Sequence, residues 1–348
     1  MFHYSKLLAA SLLWVFCATT LPSVAAPARL SELKTQLNAI SSIEGKFEFL
    51  KTGLFGQSDE VKATLGAAII ESASESSRKS VAGQVAQILA GLKNNSDTTK
   101  LIGLLTNKLP RSMAPSVAGS IAIGAGISDP QHLPQFTAAV IVSQSSTIDA
   151  AGAIAQEVTA SAPLARATSI ASAIGAAFVD HSRLADKAPE IAAAITRALL
   201  PKGTLEQTRP EIADSVAALT ILLPGSINGN KELITNIGKA VAAVIAQSNT
   251  GMATTIVGIT SAALKSAAGS SDISGVLEGF ERAFADAIAD PIIKDKLGRV
   301  VSEINAGTSD KSVLPLEPKI SNDPPPTQSP TGPDTGPIIR PETNVVNG

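Results

Sequence analysis

The apolar positions of this chain recur at the spacing of an α-helix over most of its length. The clearest stretch is 163–200, where two apolar stripes flank a short polar segment. Ile170 and Ile174 belong to the first stripe, and Ile191 and Ile195 belong to the second. Since each stripe marks one buried helix face, the pattern predicts two antiparallel helices joined by a turn, that is, a helical hairpin.

Comparable stripes predict helices along the rest of the chain. These helices cover residues 29–43, 59–74, 77–93, 97–109, 116–127, 133–160, 210–223, 231–247, 251–267, 272–289 and 291–307. The segment 133–160 forms either one long helix or two, because the polar run 143–147 favours a break. We therefore predict an all-α fold of about a dozen helices, an array of antiparallel hairpins that is either solenoid-like or an irregular bundle.

The hairpins can be aligned with one another. Phe136, Ile191, Ile237 and Phe280 occupy similar positions, at intervals of 55, 46 and 43 residues. Two-helix solenoid repeats of the HEAT and armadillo classes have a similar period of about 40–47 residues. The side-chain signatures of those families are absent, and any alanine-rich hairpins would align comparably well. True repeats are therefore one of two open interpretations.

Two segments depart from this pattern. Residues 45–56 contain three phenylalanines and alternate briefly in polarity, so they predict an irregular cap or a short strand. We favour the cap because a lone strand would lack a partner. The domain organisation is then an N-terminal helix and Phe-rich cap at 26–57 and a hairpin array at 58–307. A Pro-rich tail at 308–348 is predicted to be disordered, with a spacer or a binding tail as alternatives.

Residues 1–25 have the features of a signal peptide. A weakly basic start precedes an apolar run, and cleavage after Ala25 fits the preference for small residues at such sites. An uncleaved anchor helix is the alternative, but the run is shorter than the ~18–20 apolar residues that a span needs. We predict an exported protein, periplasmic or extracellular, with no membrane span after cleavage.

Export would change the composition of the chain. The only cysteine (Cys17), tryptophan (Trp14) and tyrosine (Tyr4) all lie in the signal segment, so the mature chain cannot form a disulfide. The 28 Lys and Arg against 30 Asp and Glu give a formal net charge of −2. This balance, without a basic stripe, argues against nucleic-acid binding.

Only one cluster of metal-ligating residue types can be considered. His132 and His181 follow Asp129 and Asp180 in two predicted hairpin turns. Stacked hairpins could bring these turns to one edge and form a site of two His and two Asp ligands. Ordinary solvated turn residues explain the same pattern, and we prefer that interpretation.

Two other short motifs are weak indications of catalysis or cofactor binding. Ser76 and Lys79 have the Ser-x-x-Lys spacing, but the companion motifs of enzymes that use it are missing. Gly124 and Gly126 resemble the start of a dinucleotide fingerprint, yet they lie within a helical pattern without a preceding strand, which favours close helix packing. We predict no catalytic, cofactor-binding or metal-binding residues.

The absence of motifs and the helical array together favour an exported, non-enzymatic structural or protein-interaction protein, with another envelope or extracellular protein as its partner. The alternative is a carrier of an apolar small molecule or lipid in a groove between helices. An enzyme that uses scattered carboxylates is the third hypothesis. The sequence does not define an oligomeric state.

Overall fold

Helices are the only regular elements in the part of the chain that the structure describes. The computed structural model describes residues 30–305, except 55, 93–97, 226, 249, 269–271 and 289. The predicted signal peptide (1–25) and Pro-rich tail (308–348) lie outside the described residues. The all-α prediction is confirmed.

Seventeen α-helices and four short 3₁₀ turns make up the described chain. The helices are α1 (Leu30–Ala39), α2 (Ile43–Gly53), α3 (Asp59–Ser72), α4 (Arg78–Gly91), α5 (Thr98–Lys108), α6 (Ala114–Ser128), α7 (Leu133–Val142), α8 (Ser145–Asp149), α9 (Ala151–Ser161), α10 (Ala167–Ala176), α11 (Ser182–Ala185), α12 (Ala188–Leu199), α13 (Leu205–Ile221), α14 (Lys231–Ser248), α15 (Ala253–Ala268), α16 (Ser274–Ala287) and α17 (Pro291–Asn305).

The longer helices form two layers. The A layer contains α4, α6, α9, α12, α14 and α16, and the B layer contains α3, α5, α7, α10, α13, α15 and α17. Within a layer each helix packs mainly against the helices before and after it in that order. Successive long helices of the chain alternate between the layers, so each hairpin spans both. This order is that of a stacked array, in which each unit contacts its neighbours.

Local sequence signals explain several helix starts. The Ser42 and Ser58 hydroxyls accept hydrogen bonds from backbone N–H groups in the first turns of α2 and α3. Gln144 and Thr147 form a capping box at α8. The Gln144 side-chain amide also donates to the carbonyl oxygens of Thr106 and Leu109, at 2.8 and 3.2 Å. These bonds satisfy the end of α5, so one side chain joins the end of one helix to the start of another.

The core between the layers is aliphatic, with four fully buried phenylalanines: Phe136, Phe178, Phe280 and Phe284. Several buried threonines lie among these side chains. Thr137, Thr196 and Thr220 each donate to the backbone carbonyl oxygen four residues earlier. Their hydroxyls are therefore satisfied within their own helices, and the core needs no further polar partners at these positions.

The structure corrects the prediction for residues 45–56. Where a cap or strand was expected, α2 continues to Gly53, capped by Ser42. Leu50 and Leu54 are fully buried, and Phe47 and Phe49 pack against the core cluster. The brief alternation in polarity was misleading because α2 buries only part of its surface, so its phenylalanines lie beside the core and not in it.

Two other boundaries differ from the prediction. The segment 133–160 forms three helices, α7, α8 and α9, since the polar run ends α7 and the capping box begins α8. Helix α13 begins at Leu205, not at Pro210, because Thr204 and Gln207 form a capping box five residues earlier. Pro210 lies inside the helix and costs it one backbone hydrogen bond.

The alignment of the hairpins also needs a correction. Ile191, Ile237 and Phe280 are fully buried in consecutive A-layer helices, α12, α14 and α16. Phe136 lies in α7, which belongs to the B layer. Phe136 and Ile191 each follow a proline by two residues, which made them look equivalent although their helices lie in different layers.

None of the described helices has both the length and the hydropathy needed to cross a membrane.

Candidate functional site

Two adjoining depressions run along the solvent-facing side of α4. One has a volume of about 530 Å³ and is lined by α2 and α4 residues, among them Phe47, Lys51 and Ile88. The other has a volume of about 280 Å³ and lies between α4 and α6. Gln84 and Gln87 line both depressions. We call the continuous surface the α4 groove.

The floor of the α4 groove is backbone, because α4 and α6 approach each other through glycine. A Cβ atom at Gly124 would lie 2.6 Å from the carbonyl carbon of Gly83 and 2.7 Å from its Cα. The Ser128 hydroxyl donates to the Gln87 carbonyl oxygen at 2.8 Å across the same interface. Small residues allow helix axes this close. Gly124 thus serves the close helix packing that the sequence pattern favoured.

One end of the groove is bounded by an ion pair that crosses a helix. Lys79 of α4 reaches over α6 to Glu157 of α9, with 3.2 Å between Nζ and Oε1. The Glu157 carboxylate also accepts a hydrogen bond from the Ser120 hydroxyl at 3.1 Å. Its side chain covers Gly119, where a Cβ would lie 2.6 Å from Oε2. Because Gly119 of α6 has no side chain, the Glu157 side chain can lie over α6 and form the ion pair with Lys79.

The two glutamines of the groove have unused hydrogen-bonding groups. No side-chain hydrogen bond joins the Gln84 or Gln87 amide to another described residue. Each amide offers two N–H donors and one acceptor oxygen. Because the residues are three apart on one helix, both amides lie on the same face of α4.

Apolar side chains line the groove beside these amides. Ile127 of α6 is 61% exposed, one of few large hydrophobic side chains with such exposure in the described chain. Ile123 also lines this side, while Phe47 and Ile88 line the other. Exposed apolar groups next to free polar groups are typical of binding surfaces.

Carboxyl groups with raised pKa values lie outside the groove. Burial raises the pKa of Glu211 and Asp214 in α13; a hydrogen bond from Thr168 to Glu211 opposes this shift, and the Asp214 charge reinforces it. In α16, burial and the nearby Glu278 raise the pKa of Glu281 to about 7. None of these residues lines the depressions along α4. The convergent carboxylates that the enzyme hypothesis needs are not found there.

The sequence motifs considered for metal or nucleophile chemistry lie in separate places. His132 Nδ1 lies 2.9 Å from an Asp129 carboxylate oxygen, while Asp180 and His181 occupy the turn before α11. Within the described ranges no group of three or more Cys, His, Asp or Glu residues could hold a metal ion. In the Ser-x-x-Lys motif, the Lys79 ammonium group donates a hydrogen bond to the Glu157 carboxylate.

No protein-family model, curated protein or solved structure matches this chain. The α4 groove was not predicted from the sequence. Its glycines and glutamines were visible there, but nothing in a single sequence pairs Gly83 with Gly124, forty-one residues later.

Proposed function

We propose that this chain is an exported, non-enzymatic protein-interaction protein, and that the α4 groove is the surface that binds its partner. The observation that carries the proposal is the combination of two free glutamine amides with exposed Ile127 in one continuous groove. Stacked helical arrays offer extended surfaces of this kind to other proteins.

A carrier of an apolar molecule is less well supported. Such a function calls for a largely apolar cavity of ~300 Å³ or more that encloses its ligand. The α4 groove has sufficient volume, but lysine, glutamine and serine side chains line it together with the apolar ones. A lipid chain would leave these polar groups without partners, whereas a polypeptide would satisfy them.

Site-specific photo-crosslinking in the native host tests the interaction. A photoreactive amino acid replaces Ser80, which lines the groove and leaves both glutamine amides in place, or, as a matched control, the exposed Asn107 on α5 in the B layer. We expect a discrete crosslinked protein from position 80 and none from position 107. Identical products from both positions, or no product from position 80, would refute the proposal.

Export is tested separately. Cleavage after Ala25 would remove Trp14 and Tyr4, and with them every tryptophan and tyrosine of the chain. Purified mature protein should begin at Ala26 by mass spectrometry and absorb almost no light at the wavelength of the indole band. Intact Met1 in the exported fraction, or strong absorbance, would contradict cleavage.

A further inference from the structure

We propose that the occupant of the α4 groove is an extended, proline-containing segment of the partner protein, bound chiefly through its backbone carbonyl oxygens. This inference rests on the proposed function, and it specifies the chemistry that the groove selects.

The hydrogen-bonding groups of the groove are mostly donors. Lys51 and Lys79 can only donate, and Gln84 and Gln87 each donate twice and accept once. No aspartate or glutamate among the described residues lines either depression. The groove therefore has an excess of donors. A proline-containing segment has the opposite excess, since each proline keeps its carbonyl oxygen but lacks an N–H group.

Other partner conformations match these donors less well. A helical partner uses its backbone carbonyls internally, so only its side chains could accept from the glutamine amides. A partner that adds a β-strand needs a sheet edge, and the described chain contains only helices and turns. Polyproline II segments have no internal hydrogen bonds, so every carbonyl oxygen is free to accept.

The charge and length of the groove also define its occupant. Lys51 and Lys79 are at least half exposed, so a carboxylate of the partner can approach either ammonium group, and the exposed Lys51–Glu48 pair is weak enough to be displaced. Helix α4 has 14 residues and is about 21 Å long. At about 3.1 Å per residue, a polyproline II segment of about seven residues matches that length. We expect acidic residues near its ends and proline rings packed on Ile88 and Ile127.

Selection from a library of random peptides of about a dozen residues tests this specificity. The immobilised full mature chain is the target. Peptides that also bind the double variant Q84A/Q87A are discarded, because they bind outside the α4 groove. We expect enriched peptides to contain several prolines and an Asp or Glu but few Lys or Arg. Peptides of another pattern, or the absence of enrichment, would overturn the inference.

Binding of an enriched peptide is then measured by fluorescence anisotropy. Loss of two hydrogen-bonding amides should weaken binding about tenfold or more in Q84A/Q87A. The matched control Q131A/Q135A removes two exposed glutamines near and on α7, and should bind as the wild type does. Equal binding by all three proteins would contradict the assignment, provided that circular dichroism shows all three folded.

The two proposals can fail separately. If position 80 crosslinks a discrete protein while no proline-containing peptide is enriched, the interaction function holds and the extended-segment inference is wrong. If position 80 crosslinks nothing, the proposed function itself fails.

Discussion

Two pairs of adjacent helices, at opposite ends of the A layer, pack against each other in different ways. At α4–α6 the backbones themselves meet, because Gly83 and Gly124 leave no side chain between them. At α14–α16 an aromatic side chain lies between the two backbones, because the Phe280 ring packs against Gly238. The same ring contacts that of Phe284, with 5.2 Å between the ring centroids. The first arrangement leaves a groove with a backbone floor, and the second stabilises the core through side-chain burial.

Buried polar groups also differ between α4–α6 and the C-terminal helices α13–α16. Around α4–α6, Ser120, Ser128 and Glu157 have hydrogen-bond partners, while Arg78 Nε at the start of α4 is buried without one. Among the described residues of the C-terminal helices, the hydroxyls of Ser215 and Ser261 and one Glu281 carboxyl oxygen are buried without a partner. Unsatisfied buried groups cost free energy. We infer that the C-terminal helices are the less stable part of the array.

The largest effect is expected from Phe280→Ala. Removing a fully buried ring loses burial and leaves a cavity, which should cost about 4 kcal/mol of unfolding free energy. Urea unfolding followed by circular dichroism measures this loss. Phe280→Leu serves as the control and should lose much less. A loss below 1 kcal/mol for the alanine variant, well under the usual ~3–5 kcal/mol, would mean that the α14–α16 pair is not held by this side chain.

Gly124→Ala should produce the next largest effect. Its new methyl group would overlap the Gly83 backbone and force α4 and α6 apart, at a cost of about 2–3 kcal/mol. At Gly298 in α17, a Cβ would meet no atom within 4 Å, so Gly298→Ala should instead stabilise by up to about 1 kcal/mol. Equal effects of the two variants in thermal unfolding would show that the close approach is not required.

A pH-dependent effect is expected from Glu281→Gln. The folded pKa of about 7 lies above the ordinary value of 4.5, so between these values the folded state binds more protons than the unfolded state. Stability therefore falls as pH rises through this window, and the penalty is complete above pH 7. Because the group is partly exposed, we expect the glutamine variant to gain only about 1 kcal/mol at pH 8.

At pH 4, where the wild-type carboxyl is protonated in both states, the gain from Glu281→Gln should largely disappear. Urea midpoints at the two pH values measure the difference. Glu278→Gln removes only the neighbouring charge and should give a smaller change of the same sign. A pH-independent gain would mean that burial does not perturb this carboxyl.

Serine substitutions provide the finest test of the comparison. Ser261→Ala removes a buried hydroxyl without a partner and should stabilise by about 0.5–1 kcal/mol. Ser120→Ala removes a hydroxyl that donates to Glu157 and should destabilise by about 0.5–1 kcal/mol. If calorimetry finds the same sign for both, the contrast in polar satisfaction between the two regions is not real.

Helical periodicity was sufficient to predict most helices, since the apolar stripes reflect the core directly. The stripe in α4 is instructive. Val81 and Val85 are buried as predicted, but Ile88 and Leu92 of the same stripe line the groove. Hydrophobicity alone cannot separate a core face from a binding face, because both are apolar.

The rest required knowledge of which helices are neighbours. Nothing local distinguishes Gly83, which meets another backbone, from Gly298, which meets nothing. Likewise, the Ser-x-x-Lys spacing gave no sign that Lys79 would cross α6 to a glutamate 78 residues away. Such pairings depend on which helices are adjacent within a layer, and a local sequence pattern does not show that.

The layer order also determines how the molecule would respond to force. Each strongly packed pair of helices is close in the chain, so tension applied at the two ends of the described array is resisted by one neighbour contact at a time. Extension should then proceed in successive steps, each releasing a hairpin of about 40 residues and about 13 nm of chain. The remaining hairpins would stay folded until the tension breaks their own contacts with the neighbouring hairpin.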